Sequence, residues 1–240
     1  MISFQVEDMH VHSRFSDGEG SIQENAERAI EMGLKRLGCV DHVRRDTPWV
    51  EDFTDAVAAM RSSFPAIELS AGLEAKILNQ NGDLDLPPSA GAADLIYAAD
   101  HRFPLGNACL APQEIRDQLR SGALSVEAAV ASLVEATANA MLKRKNLVIA
   151  HLFSILPKVG LHEGHVSTAQ LHALARAAKQ TGARLEVDER WRCPSLRTTR
   201  VFYEAGVPVI CSTDSHKVQS IGRYEFVRTV WMGLMDCCDD

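Results

Sequence analysis

Short apolar runs with strand character recur seven times along the 240-residue chain, separated by stretches with helical signals. They cover residues 4–10 (FQVEDMH), 36–41 (RLGCVD), 66–72 (AIELSAG), 94–99 (DLIYAA), 146–151 (NLVIAH), 183–187 (ARLEV) and 207–212 (VPVICS). This alternation predicts a parallel sheet, because parallel neighbours need a long crossover, usually helical. The expected fold class is α/β, a single domain over residues 1–240 with its sheet closed as a barrel. An open doubly wound sheet has the same alternation, but no Gly-rich phosphate loop follows the first run. Ser21 and Glu24 predict a capping box for a helix that stops at Gly33, and Ser167 with Gln170 repeat the device before Gly182. Residues 125–145 read as one Ala-rich helix whose terminal Lys143, Arg144 and Lys145 suit the negative end of its dipole. Pro194 is expected to open the next helix and Gly206 to close it.

The hydrophobic content of 46% is ample for a buried core, and α/β barrels of this length are common as one unit. A net charge of -7 and a pI near 5.7 argue against a broad nucleic-acid-binding face. They leave room for a small anionic substrate, since bound metals reverse a local field. The six cysteines, Cys39, Cys109, Cys193, Cys211, Cys237 and Cys238, form no Cys-x-x-Cys pair. They are expected to be reduced, mostly buried thiols of a cytoplasmic protein, with Cys237 and Cys238 in a frayed tail. The first residues carry no secretory pattern, and no apolar run is long enough to span a membrane.

Polar residues with metal-ligand chemistry sit where the strands end. His10 and His12, two apart on the first run, share a face. Asp41 and His42 end the second run and Glu74 follows the third. His101 follows the fourth, His151 ends the fifth, and Asp214 and His216 follow the seventh. In a barrel the loops at strand C-termini share one mouth, so separate segments deliver these side chains together. Six of the nine histidines fall in this pattern, while His162, His165 and His172 do not. Mixed imidazole and carboxylate ligands suit Zn, Mn or Fe better than Ca. A closed structural zinc site would use four ligands, typically Cys-rich, so a set without Cys favours an open, catalytic centre.

The set His10-x-His12, "SDG" with Asp17, "DH" with His42, Glu74, His101, His151 and "STDSH" resembles the PHP family, the polymerase and histidinol phosphatase domains. The segments 72–101 and 212–226 are similar to the family's as well, and the likeness runs from about residue 8 to 230. The resemblance implies a distorted seven-stranded TIM-like barrel holding three divalent metal ions. One ion would be held by His10, His12, Glu74 and Asp214. A second would share Glu74 and add His101 and His151, and the third would take Asp17, His42 and His216. Asp100 departs from the family's usual residue and would either disturb His101 or support it from behind. Asp41 reads as an orienting partner for a ligand.

That resemblance implies metal-dependent hydrolysis of a phosphomonoester, histidinol phosphate being the family's namesake substrate. The nucleophile would be a hydroxide generated at the metals; Ser13 and Ser16 lie in no nucleophile-elbow pattern. Arg190, Arg192 and Arg197 after the sixth run, and Arg44 and Arg45 after the second, are candidates to bind phosphate. Arg200 is expected to face solvent. The loop 160–165 (GLHEGH) is a candidate lid, and Trp49 and Trp191 could each wall a pocket. The expected partner is a small phosphorylated substrate, with no stable nucleic acid and no membrane; a homo-oligomer is compatible with the sequence. Competing readings are a nucleotide phosphatase or nuclease, a non-catalytic metal-binding regulatory domain, and hydrolysis of a C–N or ester bond at a similar cluster.

Overall fold

A computed structural model describes residues 6–236. Residues 4 and 5 of the first predicted strand, and Cys237 and Cys238, lie outside that range. The strands are β1 (Glu7–Val11), β2 (Arg36–Val43), β3 (Glu68–Lys76), β4 (Leu95–Ala99), β5 (Phe103–Leu105), β6 (Ala108–Leu110), β7 (Val148–Ile149), β8 (Arg184–Asp188) and β9 (Val209–Ser212). The helices are α1 (Ile22–Glu31), α2 (Val50–Ser63), α3 (Pro112–Ser121), α4 (Val126–Lys143), α5 (Thr168–Thr181), α6 (Leu196–Glu204) and α7 (Phe226–Met235).

Seven strands form one parallel sheet in the order β1-β2-β3-β4-β7-β8-β9. Its two edges meet. His12 N–H donates to the Ser215 carbonyl at 2.8 Å and Ser215 N–H to the His10 carbonyl at 3.2 Å. Buried carboxylates stitch the rest of that seam: Glu7 accepts the Cys211 N–H, and Asp8 accepts the N–H and hydroxyl of Thr213. The nearly closed α/β barrel predicted by the alternation is therefore what forms.

Met9, Val40, Leu95, Tyr97, Ala99, Val148, Ala150 and Ile210 fill the barrel. Two larger apolar clusters lie between the sheet and its helices. β1 carries one extra residue against β2: Asp8 pairs with Leu37 but Val11 with Cys39. Such a bulge re-aims side chains, and here it places Met9 in the barrel core while His10 also faces inward. Gly38 makes room for it, since a Cβ there would lie 2.2 Å from the Met9 carbonyl oxygen.

Ser21 and Ser167 cap α1 and α5 as predicted, each with its reciprocal side-chain bond, and Gly33 and Gly182 follow with positive φ. Three details differ from the sequence expectation. α4 ends at Lys143, with Arg144 already extended. Ser195 rather than Pro194 starts α6, its hydroxyl accepting the Thr198 N–H. The antiparallel pair β5–β6 was not anticipated; Gly106 and Asn107 turn it, with Gly106 at φ 56°. That dipeptide is a recognised two-residue hairpin signal, masked here because each arm has only three residues. Cys39, Cys193 and Cys211 are buried free thiols, and burial pushes Cys39 up to about 12. Among the described residues no helix is long and apolar enough to cross a membrane.

Candidate metal centre

The C-terminal ends of the strands deliver the predicted ligands to one mouth of the barrel. Glu74, on β3, lies at the centre. Its Oε1 is 2.9 Å from both His101 Nε2 and His151 Nε2, and its Oε2 is 2.7 Å from His42 Nδ1. The same Oε2 lies 3.5 Å from His10 Nε2 and 3.6 Å from His12 Nε2. His12 Nε2 approaches Asp214 Oδ1 to 2.9 Å, and Asp17 Oδ1 is 3.3 Å from His216 Nε2. All nine predicted residues are thus brought together. Three subsets place ligand atoms within 4.8 Å of one another: His12, Asp17, His42 and His216; His10, His12 and Asp214; His42, Glu74 and His101.

Five buried atoms of this cluster make no well-oriented hydrogen bond, even where they lie close to another ligand-type atom: His10 Nε2, His12 Nδ1 and Nε2, Glu74 Oε2 and Asp214 Oδ1. Buried polar atoms without a well-oriented hydrogen bond are costly, and five converging at one point suit a common partner. A divalent cation satisfies imidazole nitrogens and carboxylate oxygens together, and the residues present fit one. His151 and Asp214 also stand at positive φ, 29° and 46°, a conformation uncommon for residues with side chains.

Burial and the neighbouring charges set the protonation preferences of the cluster. Burial pushes His12 down to about 4, leaving the neutral imidazole that a metal requires. Burial also opposes charge on His10, but the carboxylates of Glu186 and Glu74 outweigh it and hold His10 well above an ordinary imidazole. Burial would raise Glu74, yet His101 and His10 draw it well below the usual carboxylate range.

A layer of buried acids supports the ligands. Glu186 Oε1 is 2.8 Å from His10 Nδ1, and its Oε2 accepts the His151 N–H at 2.6 Å. Among the described residues Asp100 makes no ion pair with the His101 ring beside it. It lies 3.5 Å from His151 Nδ1 and accepts the Ser154 hydroxyl at 2.6 Å, so it braces a different ligand from the one expected. Asp41 holds a loop instead of a ring: it accepts the N–H and hydroxyl of both Ser13 and Ser16, just before Asp17. Trp191 donates its indole N–H to Asp214 Oδ2 at 2.8 Å, and Lys158 sits 3.8 Å over its ring. Trp49 instead packs on Phe15 and Phe53.

Glu186, Lys158 and Asp188, which accepts the Trp191 N–H at 2.7 Å, were not singled out in the sequence. Of these, Glu186 and Asp188 stand in one phase of β8 (RLEVD) while Leu185 and Val187 occupy the other. Charged residues in phase on a buried strand were the available signal. Lys158 carried none.

The arginine candidates separate. Arg190 lies against His216 and 3.6 Å from Asp214 Oδ2. Arg44 lines a cleft with His42, Glu74 and His101. Arg192 sits over the Phe226 ring, and Arg197 donates to the carbonyls of Glu163 and Val166 and to Thr168 Oγ1. Neither is brought to the cluster, because packing partners nearer their own loop engage them first. Arg200 is half-buried and donates to the Gly233 carbonyl, so it does not simply face solvent. In the loop 160–165, Glu163 accepts the N–H and hydroxyl of Ser195 and the Thr198 hydroxyl, anchoring that loop to the start of α6.

Comparison with known proteins bears on the fold and the family of the chain. The chain is 26% identical to a "probable phosphatase" of Clostridium acetobutylicum, over 97% of this chain and 86% of that protein. It is 23% identical to the DNA polymerase/3'-5' exonuclease PolX of Bacillus subtilis, over 89% of this chain but 35% of the relative. The crystal structure of a "putative histidinol phosphatase" from Listeria monocytogenes superposes with a TM-score of 0.68 at 14% identity, covering 90% of this chain and 97% of that one. The family model for the PHP domain matches residues 8–179, and the chain belongs to the PHP family.

Proposed function

We propose that the protein is a metal-dependent phosphomonoesterase acting on a small phosphorylated metabolite. The observation that carries this reading is the convergence of nine imidazole and carboxylate side chains at the barrel mouth, five of whose buried atoms make no well-oriented hydrogen bond. In this assignment His10, His12, Glu74 and Asp214 hold one ion, Glu74, His101 and His151 a second, and Asp17, His42 and His216 a third. Divalent ions there would make a water nucleophilic near neutral pH and polarise a phosphoryl group.

The chain's own residues do the rest. Arg190, beside Asp214 and His216, is the cation placed to receive phosphoryl oxygens through its planar fork. Trp191 fixes Asp214 from one side, and Glu186 fixes His10 and the His151 backbone from below. The Clostridium relative's name supports phosphatase chemistry, and the chain's acidic balance disfavours a nucleic-acid substrate.

The test is phosphate release from a panel of phosphomonoesters, histidinol phosphate and mononucleotides included, by protein reconstituted separately with Mn, Zn and Fe. Turnover that disappears in His10→Ala is expected. Silence across the panel with metal shown to be bound would overturn the reading and direct attention to phosphodiesters and non-phosphate esters.

A further inference from the structure

The cluster has a cationic cleft on each flank. One, of about 440 Å³, is lined by His42, Glu74 and His101 together with Arg44, Lys76 and Arg102. The other, of about 390 Å³, is lined by Asp214, His216 and Glu189 together with Arg190, Lys217 and Arg223; Glu189 is engaged by the backbone N–H groups of residues 225–227. The His12 ring separates them: its centroid is 4.4 Å from that of His42 in the first cleft and 4.1 Å from that of His216 in the second. The first cleft is built from the ends of β2, β3 and β4, and the second from the segments after β8 and β9.

A single phosphoryl group bound beside Arg190 accounts for the second cleft and leaves the first without an anion. Internal pairing does not fill it. Lys76 is taken by Asp85 at 3.1 Å, but the closest carboxylate to Arg102 is Glu114 at 3.8 Å, with both side chains about half exposed. The Arg44 side chain has no hydrogen-bond or ion-pair partner among the described residues. Two arginines without a short internal ion pair line this one concave surface beside Glu74, in a chain with a net charge of -7, and clustered cations in a cleft attract an anion.

We infer that the substrate carries two anionic groups: the scissile phosphoryl at the cluster beside Arg190, and a second phosphate or a carboxylate in the cleft of Arg44 and Arg102. This rests on the phosphomonoesterase reading for its first anion. The shared chemistry of the second is an oxyanion matched to a guanidinium fork.

Two measurements test it. The first compares kcat/KM of the metal-loaded protein for glycerol 2-phosphate, 3-phosphoglycerate and fructose 1,6-bisphosphate, which offer no second anion, a carboxylate and a phosphate. At least one doubly anionic ester is expected to be preferred by about tenfold or more, the effect of one charge-assisted contact. The paired substitutions Arg44→Ala and Arg102→Ala should erase the preference mainly through KM, and Arg44→Lys with Arg102→Lys should restore part of it. The second measures calorimetric binding of 3-phosphonopropionate against ethylphosphonate, neither of which is hydrolysed. The doubly anionic phosphonate should bind tighter by a similar factor, and only while both arginines are present. Hydrolysis of all three esters without preference, and equal binding of the two phosphonates, would overturn the inference while leaving the phosphomonoesterase reading intact. Selective phosphonate binding without hydrolysis of any ester would do the reverse.

Discussion

His10 Nδ1 lies 2.8 Å from Glu186 Oε1, and the other oxygen of that carboxylate accepts the His151 backbone N–H. One side chain on β8 therefore orients a candidate ligand on β1 and the backbone of another after β7. Supporting carboxylates of this kind are typically worth about 10–100-fold in metal affinity. Glu186→Gln is expected to weaken metal binding by that order, and Glu186→Ala by more, in a chelator competition titration. Unchanged affinity in both variants would show that His10 is held by packing alone.

Asp41 accepts four hydrogen bonds from Ser13 and Ser16 and is fully buried. An asparagine offers one acceptor oxygen and adds two donors, so Asp41→Asn strands at least one buried partner at about 1–3 kcal/mol. The variant should unfold at lower temperature. It should also bind fewer metal equivalents, since the loop it releases carries Asp17. A variant that melts lower but keeps full metal stoichiometry would confine Asp41 to folding.

Gly38 faces the bulge in β1, where an added Cβ would meet Met9 backbone atoms at 2.2 and 2.6 Å. Backbone cannot step aside as a side chain tip can, so Gly38→Ala should cost about 3 kcal/mol in chemical denaturation. Gly91→Ala, with nothing within 4 Å, is the matched control and should be near neutral. Equal stability of the two variants would mean the bulge relaxes freely.

Glu7 supplies a pH dependence away from the candidate metal ligands. Burial raises its pKa from 4.5 to about 7, against the opposing Cys211 N–H and the Arg36 guanidinium. The folded protein therefore keeps a proton that the unfolded chain releases between about pH 4.5 and 7, and stability falls as pH rises through that window. The lost increment is about 3 kcal/mol for a shift of this size. Glu7→Gln has no proton to lose. Its stability relative to wild type should improve by up to that amount from pH 4.5 to 7.5, measured by urea unfolding in the presence of a chelator. Parallel curves for the two proteins would show that Glu7 does not titrate in that range.

The alternation of strand and helix, the capping serines and the nine candidate ligands were legible in the sequence because each depends on local pattern or on which end of a strand a residue occupies. Ser21 and Ser167 act through residues three positions away, and His10, His12 and His42 lie at strand ends. The supporting layer was not legible, since its contacts join distant segments. Glu186 meets His10 across 176 residues and Asp41 meets Ser13 across 28. Arg197 illustrates the same limit from the other side. Its loop follows β8, as a phosphate-binding residue's would, but Val166 and Thr168 are within reach and capture the guanidinium. Lys158 became visible only through the Trp191 ring beneath it.

The edges of the sheet, β1 and β9, are also nearly the two ends of the described chain, and each contributes ligand-type residues to the same mouth. About 200 residues separate His12 from Asp214. At a synthesis rate of about 5–20 residues per second, roughly 10–40 s pass between their emergence from a ribosome. A nascent chain can hold the first histidines long before the aspartate that completes their pocket exists. A cation held by His12 and Asp214 would thus join two segments of the chain synthesised well apart in time.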